Sequence, residues 1–234
     1  MPLYRVKRYA HHKYKFVVRT KVGTGWKRRY FRTKTEANAY AEKKNTLSST
    51  FPVESKQSDN IQDAATLDTF YSTDDPWGYH TNAEDAKRRA VLLAELPKRD
   101  YTATLDIGCG NGFVTSQLPG KRILGVDISA KAIGHARRHE DARLSFTRAD
   151  LFELDVTKMG TFDLIVVTGL FYTQYIGKAC ILAQTLIDRL LAPGGVLASV
   201  HIAEWYTARF PYLLAKQITY PYREFTHVME IYFK

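Results

Sequence analysis

Three acidic residues, each closing an apolar run, carry the chemistry this sequence offers. The first stands in Thr104-Leu-Asp-Ile-Gly-Cys-Gly-Asn-Gly112, where Asp106 precedes a turn with glycine at 108, 110 and 112. Glycines there let the main chain take positive φ and remove the Cβ atoms, so a ligand can lie against bare backbone. A helix is expected over 113–118, turning its first N–H groups toward that ligand. The second acid, Asp127, ends the run 121–128, about 20 residues beyond Gly108, where a doubly wound fold places a carboxylate on ribose hydroxyls. The third, Asp150, ends the run 144–151. A nicotinamide or flavin fingerprint needs glycine at 113, where Phe113 stands, and a P-loop needs Gly-Lys-Ser/Thr, which Asn111-Gly112-Phe113 does not supply. Nothing here is built to neutralise a pyrophosphate.

Positioning three carboxylates side by side requires strands that end on one edge. Runs 162–168 and 195–201 read as a fourth and fifth strand, the fourth closing at Thr168. Helical patterns over 130–139 and 178–191 lie between, the latter stopped by Pro193-Gly194-Gly195. Strands alternating with helices imply a parallel sheet with its ligand at the carboxyl ends of the strands.

This arrangement resembles the class I methyltransferases, which use S-adenosylmethionine. The resemblance covers roughly 66–234 and implies a Rossmann-like, doubly wound, seven-stranded α/β sheet. It assigns Asp106, Gly108, Cys109, Gly110, Gly112 and Phe113 to the methionine end of the cofactor. Asp127 with Ile128 falls to the ribose, and Asp150 with Leu151 to the adenine, while Thr168 lines the site. The run 191–197 matches the turn into the fifth strand, and the β-rich stretches around Pro221-Tyr222 supply the antiparallel sixth and seventh.

A narrower resemblance lies upstream. Asp75-Pro-Trp-Gly-Tyr followed by Glu84-Asp-Ala-Lys87 and an apolar run to Leu96 is similar to the nodulation protein S type of methyltransferase, whose members N-methylate an amino sugar. It implies a segment folded over the cofactor, with Trp77 and Lys87 touching it and Tyr79 and His80 on the acceptor side. Thr81-x-x-Glu84 reads as the capping box of the helix beneath.

Methyl transfer is an in-line displacement in which alignment supplies about 7–11 kcal/mol. A base is needed only for an acceptor that arrives protonated. Tyr172, His201 and Glu204 stand near the ends of strands four and five, and His201 has the titration range for proton removal. The Asp/Asn/Ser-Pro-Pro-aromatic motif of amino-methylating DNA enzymes is replaced by Thr168-Gly-Leu-Phe-Tyr172, and a Pro-Cys nucleophile is missing. The reading is therefore transfer to an amine or hydroxyl of a polar, saccharide-like small molecule, without a metal. The alternative is a nucleic-acid-directed methyltransferase, and a third reading is a nucleic-acid-binding protein that senses the cofactor without turnover.

The nucleic-acid readings arise from the charge. The chain has 234 residues and a net charge of +10, yet residues 1–50 hold 14 Lys+Arg against 2 Glu. The remainder carries 20 Lys+Arg against 22 Asp+Glu. Such segregation marks a separate module. Strands over 4–10, 14–22 and 26–33, a turn at Gly23-Thr-Gly25, and a helix from 37 to about 47 capped by Thr33-x-x-Glu36 are expected. Residues 1–47 form this module, 48–65 a linker and 66–234 the catalytic domain. The module is similar to the arm-type DNA-binding domain of tyrosine recombinases. Alternation places Lys15, Arg19 and Lys21 on one face, joined by Arg5, Lys7, Lys27 and Arg29, as a surface for DNA or RNA. Two cysteines are too few for a disulfide framework, no run has membrane-spanning length, and the first seven residues lack an apolar segment, so a cytoplasmic location is expected.

Overall fold

The computed structural model describes residues 4–8, 16–22, 25–50, 62–207 and 209–234. The described residues fall into two compact units, the first within 1–56 and the second within 57–234.

In the first unit β1 (Tyr4–Arg8), β2 (Phe16–Val22) and β3 (Gly25–Phe31) form an antiparallel sheet in that order, followed by α1 (Lys34–Thr50). Both bonds of the expected capping box are made: Glu36 N–H donates to Thr33 Oγ1 and Thr33 N–H to Glu36 Oε2. Val18 is buried against Ala37 and Ala41 of the helix. The register sets Arg5 opposite Arg19 and Arg19 opposite Arg28, one row across all three strands. Directly opposite residues share a face, and this corrects the basic surface. Arg29 pairs with the buried Val18 and places its guanidinium 5.0 Å from the Tyr40 ring centre, on the helix-covered face. Lys15, the Gly23-Thr24 turn and most of the expected linker lie outside the described residues.

The second unit begins with α2 (Ala64–Phe70) and α3 (Ala83–Glu95). There follow β4 (Ala103–Ile107), β5 (Arg122–Asp127), α4 (Ala130–Ala136), β6 (Leu144–Arg148), α5 (Val156–Met159) and β7 (Phe162–Thr168). The chain closes with α6 (Thr173–Ile176), α7 (Cys180–Leu190), β8 (Leu191–Ile202), β9 (Leu213–Tyr222) and β10 (Phe225–Phe233). The sheet order is β6-β5-β4-β7-β8-β10-β9, with only the pairs made by β10 antiparallel, as expected of the doubly wound methyltransferase sheet.

Three local expectations are corrected. Only a 3₁₀ turn, Thr115–Gln117, follows the glycine loop in place of a helix. The α3 helix is capped by Asn82, whose side chain accepts from Glu84 N–H, and not by Thr81. Pro193-Gly194-Gly195 lies within β8, because the helix already stops at Leu190.

The central strands β4, β7 and β8 are buried on both faces, and alternation divides their side chains between two cores. Leu164, Val166, Val196, Ala198 and Val200 join the α3 side, while Ile165, Val167 and Leu197 join the α7 side. Which of these faces a polar residue occupies decides whether it can reach the site.

Candidate cofactor and acceptor site

The glycine loop leaves β4 between β5 and β7, the point where the strand order reverses and a doubly wound sheet opens a crevice. Gly108, Gly110 and Gly112 all have positive φ. A Cβ at 110 would stand 2.6 Å from the Tyr71 hydroxyl, and one at 112 would stand 2.9 Å from the Phe146 ring. The loop amides, expected to face a ligand, are spent within the protein. Those of Gly108 and Cys109 donate to Val126 O, Gly110 to Asp127 Oδ2, Gly112 to Cys109 O and Phe113 to Asn111 Oδ1. A phosphate would find few donors here, so the cradle suits a neutral or cationic group.

Asp106 is buried on the α3 face. Its Oδ2 accepts from Thr115 Oγ1 at 2.7 Å, while its Oδ1 has no hydrogen-bond partner. Burial raises its pKa to about 7, against the lowering pull of Thr115 and Arg88. Asp127 accepts from Gly110 N–H and Ser129 N–H, one on each oxygen, both at 2.9 Å, and burial also raises its pKa. Each oxygen keeps a lone pair for a hydroxyl donor. Asp150 caps the 3₁₀ turn 151–153 by accepting from Phe152 N–H, beside buried Leu151. Ile128 and Thr168 are half-buried at their strand ends. Cys109 is buried, which pushes its thiol pKa well up, so it lines the loop as a small apolar residue.

The segment ahead of the sheet is tied over this loop. Asn111 Nδ2 donates to Asp74 O, Arg138 pairs with Asp74, and His135 Nε2 meets Tyr71 O at 3.1 Å. Asp68 on α2 accepts from Ser129 Oγ and Lys131 N–H. The Trp77 ring stacks on Phe70, with its Nε1 3.4 Å from the Tyr71 hydroxyl. Asp75 turns the segment by accepting from Tyr79 N–H and His80 N–H, and both rings pack on Phe113. Tyr79 is half-buried and His80 exposed.

Lys87 is exposed on α3, and the helix turns Asp85 and Arg88 inward in its stead. Arg88 lies between the Tyr79 and Tyr222 rings, 5.0 and 6.0 Å from their centres. Among the described residues its one ion pair is long, Nε to Asp85 Oδ1 at 3.4 Å, although the side chain is 9% exposed. Asp85 also accepts from Tyr222 Oη at 2.7 Å and Arg223 Nη2 at 2.6 Å.

Two expected catalytic residues are repositioned. His201 alternates with Val200 and so faces the α7 side, where its ring meets Tyr206 edge-on at 5.1 Å. It lies across the sheet from Asp106. Burial lowers its pKa to about 4, and Nδ1 has no partner. Tyr172 accepts from Ile202 N–H at 2.8 Å, and burial raises its pKa far above neutrality, so it is a brace between strand ends and no base. Glu204 accepts from Thr226 N–H. The histidine on the α3 face is His227, stacked on Tyr222 at 3.7 Å with Nδ1 3.3 Å from Tyr220 Oη. Its neighbours Tyr222, Asp85 and Arg88 converge from three elements distant in sequence, so spacing alone gave no signal.

Comparison with known proteins decides the family. Residues 98–228 match the family model described as a methyltransferase domain. The chain belongs to this family. Among curated relatives, this methyltransferase is 35% identical over 111 residues to trans-aconitate 2-methyltransferase of Deinococcus radiodurans, covering 46% of this chain and 40% of that protein. It is 30% identical over 131 residues to malonyl-[acyl-carrier protein] O-methyltransferase of Enterobacter lignolyticus, covering 53% and 49%. The chain thus spans about half or less of the length of these relatives. Among solved structures, N-methyltransferase NodS from Bradyrhizobium japonicum WM9 with S-adenosyl-L-homocysteine has a TM-score of 0.62 at 21% identity, over 73% of this chain and 97% of that one. Magnesium protoporphyrin IX methyltransferase from Synechocystis PCC 6803 with bound S-adenosylmethionine has a TM-score of 0.55 at 17% identity, over 74% and 98%. Both of these neighbours hold S-adenosylmethionine or its demethylated product. Among the described residues, no helix is long and apolar enough to cross a membrane, and no cluster of ligating side chains could hold a metal.

Proposed function

We propose that this methyltransferase transfers the cofactor's methyl group to a nitrogen or oxygen of a small polar acceptor bound on the α3 face. The observation that carries this reading is the pair formed by Asp106 and Arg88. A buried carboxylate oxygen and the buried Arg88 Nε both lack a hydrogen-bond partner, and the two charges lie close enough for Arg88 to pull the Asp106 pKa down. An α-amino acid end supplies what each lacks, an ammonium for Asp106 and a carboxylate for Arg88. Asp127 would then hold the ribose hydroxyls, with Asp150, Leu151 and Ile128 around the adenine and Tyr71 and Trp77 closing the lid. When bound, the cofactor supplies an electrophilic methyl group on a sulfonium. The protein's share is alignment and exclusion of water.

Relatives named for carboxylic-acid acceptors and a structural neighbour named as an N-methyltransferase leave both acceptor atoms open. The amine or hydroxyl of a sugar-like molecule, expected from sequence, is one arm of the screen. Calorimetry with S-adenosyl-L-homocysteine tests the reading. Binding that collapses in Asp127→Ala supports it, and no binding by the unaltered protein rejects it.

The Arg5–Arg19–Arg28 row favours a second role for residues 1–50. Like charges directly opposite destabilise a sheet, and a polyanion would relieve the repulsion while releasing counterions. DNA or RNA recruited through this face would suit the expected arm-like module. Binding that weakens steeply with salt and is lost on Arg19→Glu supports this role; no binding at low salt removes it. A reducing, cytoplasmic setting fits the two free cysteines.

A further inference from the structure

Arg223 is the one non-glycine residue, among those described, with positive φ, at +50°. It sits in the tight turn between β9 and β10, where Gly or Asn would carry less strain. A strained conformation survives where the surrounding contacts hold it, and here they tie three elements together. The backbone N–H donates to Glu84 of α3. Both hydrogens of Nη2 are used, one on Asp85 Oδ2 at 2.6 Å and one on Trp77 O at 2.7 Å. One nitrogen thereby joins the β9–β10 turn, the first turn of α3 and the segment that crosses the glycine loop. Arg88 and Arg223 stand here among the carboxylates of Glu84 and Asp85, and the turn itself carries Glu224. With charges of both signs so mixed, the knot supplies a mechanical hold rather than a charged subsite.

Trp77 carries that hold to the site. Its ring stacks on Phe70 at 5.6 Å between centres, and its Nε1 lies 3.4 Å from Tyr71 Oη, the atom nearest the Cβ that Gly110 lacks. Gly78 follows immediately, with φ +68°, and gives the backbone a place to turn. A ligand that lies on the loop has to pass this segment, and the bond to Trp77 O resists its lifting. The hold can also be released without stranding a buried charge. Asp85 keeps Tyr222 Oη at 2.7 Å and Arg88 when Arg223 lets go, and the positive φ is relieved as the turn relaxes.

Resting on the cofactor site proposed above, we propose that Arg223 is a positioning residue: its guanidinium latches residues 71–78 over the bound cofactor, and its release sets how fast the demethylated product leaves. It acts through the Trp77 carbonyl and not on the reacting atoms. Lid opening of this kind limits turnover in many enzymes.

The test uses the full-length protein with S-adenosyl-L-homocysteine, whose dissociation is followed by tryptophan emission after dilution, with Trp77→Phe as the control that assigns the signal. Arg223→Gln should speed dissociation about tenfold or more, a change carried in the off-rate, with Arg223→Lys intermediate. Arg223→Gly, which suits the positive φ, should keep the fold, as its thermal midpoint reads, and speed dissociation as far as Arg223→Gln. In the unaltered protein, amide exchange at 71–79 and at 222–226 should slow together when the compound binds. An unchanged off-rate in both variants, or slowing at 71–79 with none at 222–226, would overturn the proposal. Failure of S-adenosyl-L-homocysteine to bind the unaltered protein would instead reject the reading beneath it.

Discussion

Thr115 donates its hydroxyl to Asp106 Oδ2 at 2.7 Å, and the other carboxylate oxygen is left buried and unpartnered. The protein thus holds Asp106 half satisfied, with a pKa of about 7. Near pH 6.5 much of the carboxyl is protonated without the cofactor, and an arriving ammonium should expel that proton. Calorimetry of S-adenosyl-L-homocysteine binding in buffers of different ionisation enthalpy should show proton release, absent in Asp106→Asn. Equal heats in all buffers would contradict this role.

Stability should carry opposing pH terms. Asp106 has a raised pKa, so its contribution is present at low pH and is lost as pH rises from 3.8 to about 7. His201 and His227 have lowered pKa values, about 4 and about 3, so theirs is present above 6.5 and lost as pH falls toward those values. Asp127, also raised by burial, adds to the side of Asp106, and His139, lowered by burial, adds to the other, so three histidines oppose two aspartates. The unliganded protein should gain stability from about pH 4.5 to pH 6.5, and Asp106→Asn should make that gain steeper. Denaturant melts across the range would show a flatter curve if the assignments are wrong.

Gly110→Ala should fail doubly. Its φ is +55°, costing about 1–2 kcal/mol for a Cβ-bearing residue, and the added carbon would meet Tyr71 Oη at 2.6 Å. Cofactor affinity should drop by more than tenfold (about 1.4 kcal/mol). Adding Tyr71→Ala should remove the collision but leave the backbone cost and the loss of a lid residue. Full rescue by the double variant would show that φ is not limiting.

His201→Phe should leave turnover within about threefold of the parent, well under the 10²–10⁴ that general bases supply. The ring lies across the sheet from Asp106, and an apolar replacement removes an unpartnered buried nitrogen. Loss of turnover with intact S-adenosyl-L-homocysteine binding would reinstate it.

The strand ends around the proposed cofactor site were legible because acids there and glycines in the turn are local signals. Asp106, Asp127 and Asp150 fall where the spacing put them. The acceptor half was not. The sequence 197–201 alternates nothing that reveals a face, since β8 is buried on both sides, so His201 was read toward the site and His227 overlooked. On α3 the buried positions Asp85, Arg88 and Leu92 follow helical spacing. Two of the three are charged, which hid the inward stripe and drew attention to Lys87. In the first unit Trp26-Lys-Arg-Arg-Tyr30 offers a basic residue to either face, and only strand pairing, which sets Arg29 opposite Val18, tells the faces apart.

The Phe146 ring touches both the loop and the neighbouring strand: a Cβ at Gly112 would lie 2.9 Å from it and one at Gly125 would lie 2.6 Å. A residue on the outermost parallel strand therefore sets how low the glycine loop can lie over β5. Volume added at 112 or 125 has to be returned at 146. Among homologous chains these three positions should drift together, recording a constraint that no ligand contact imposes.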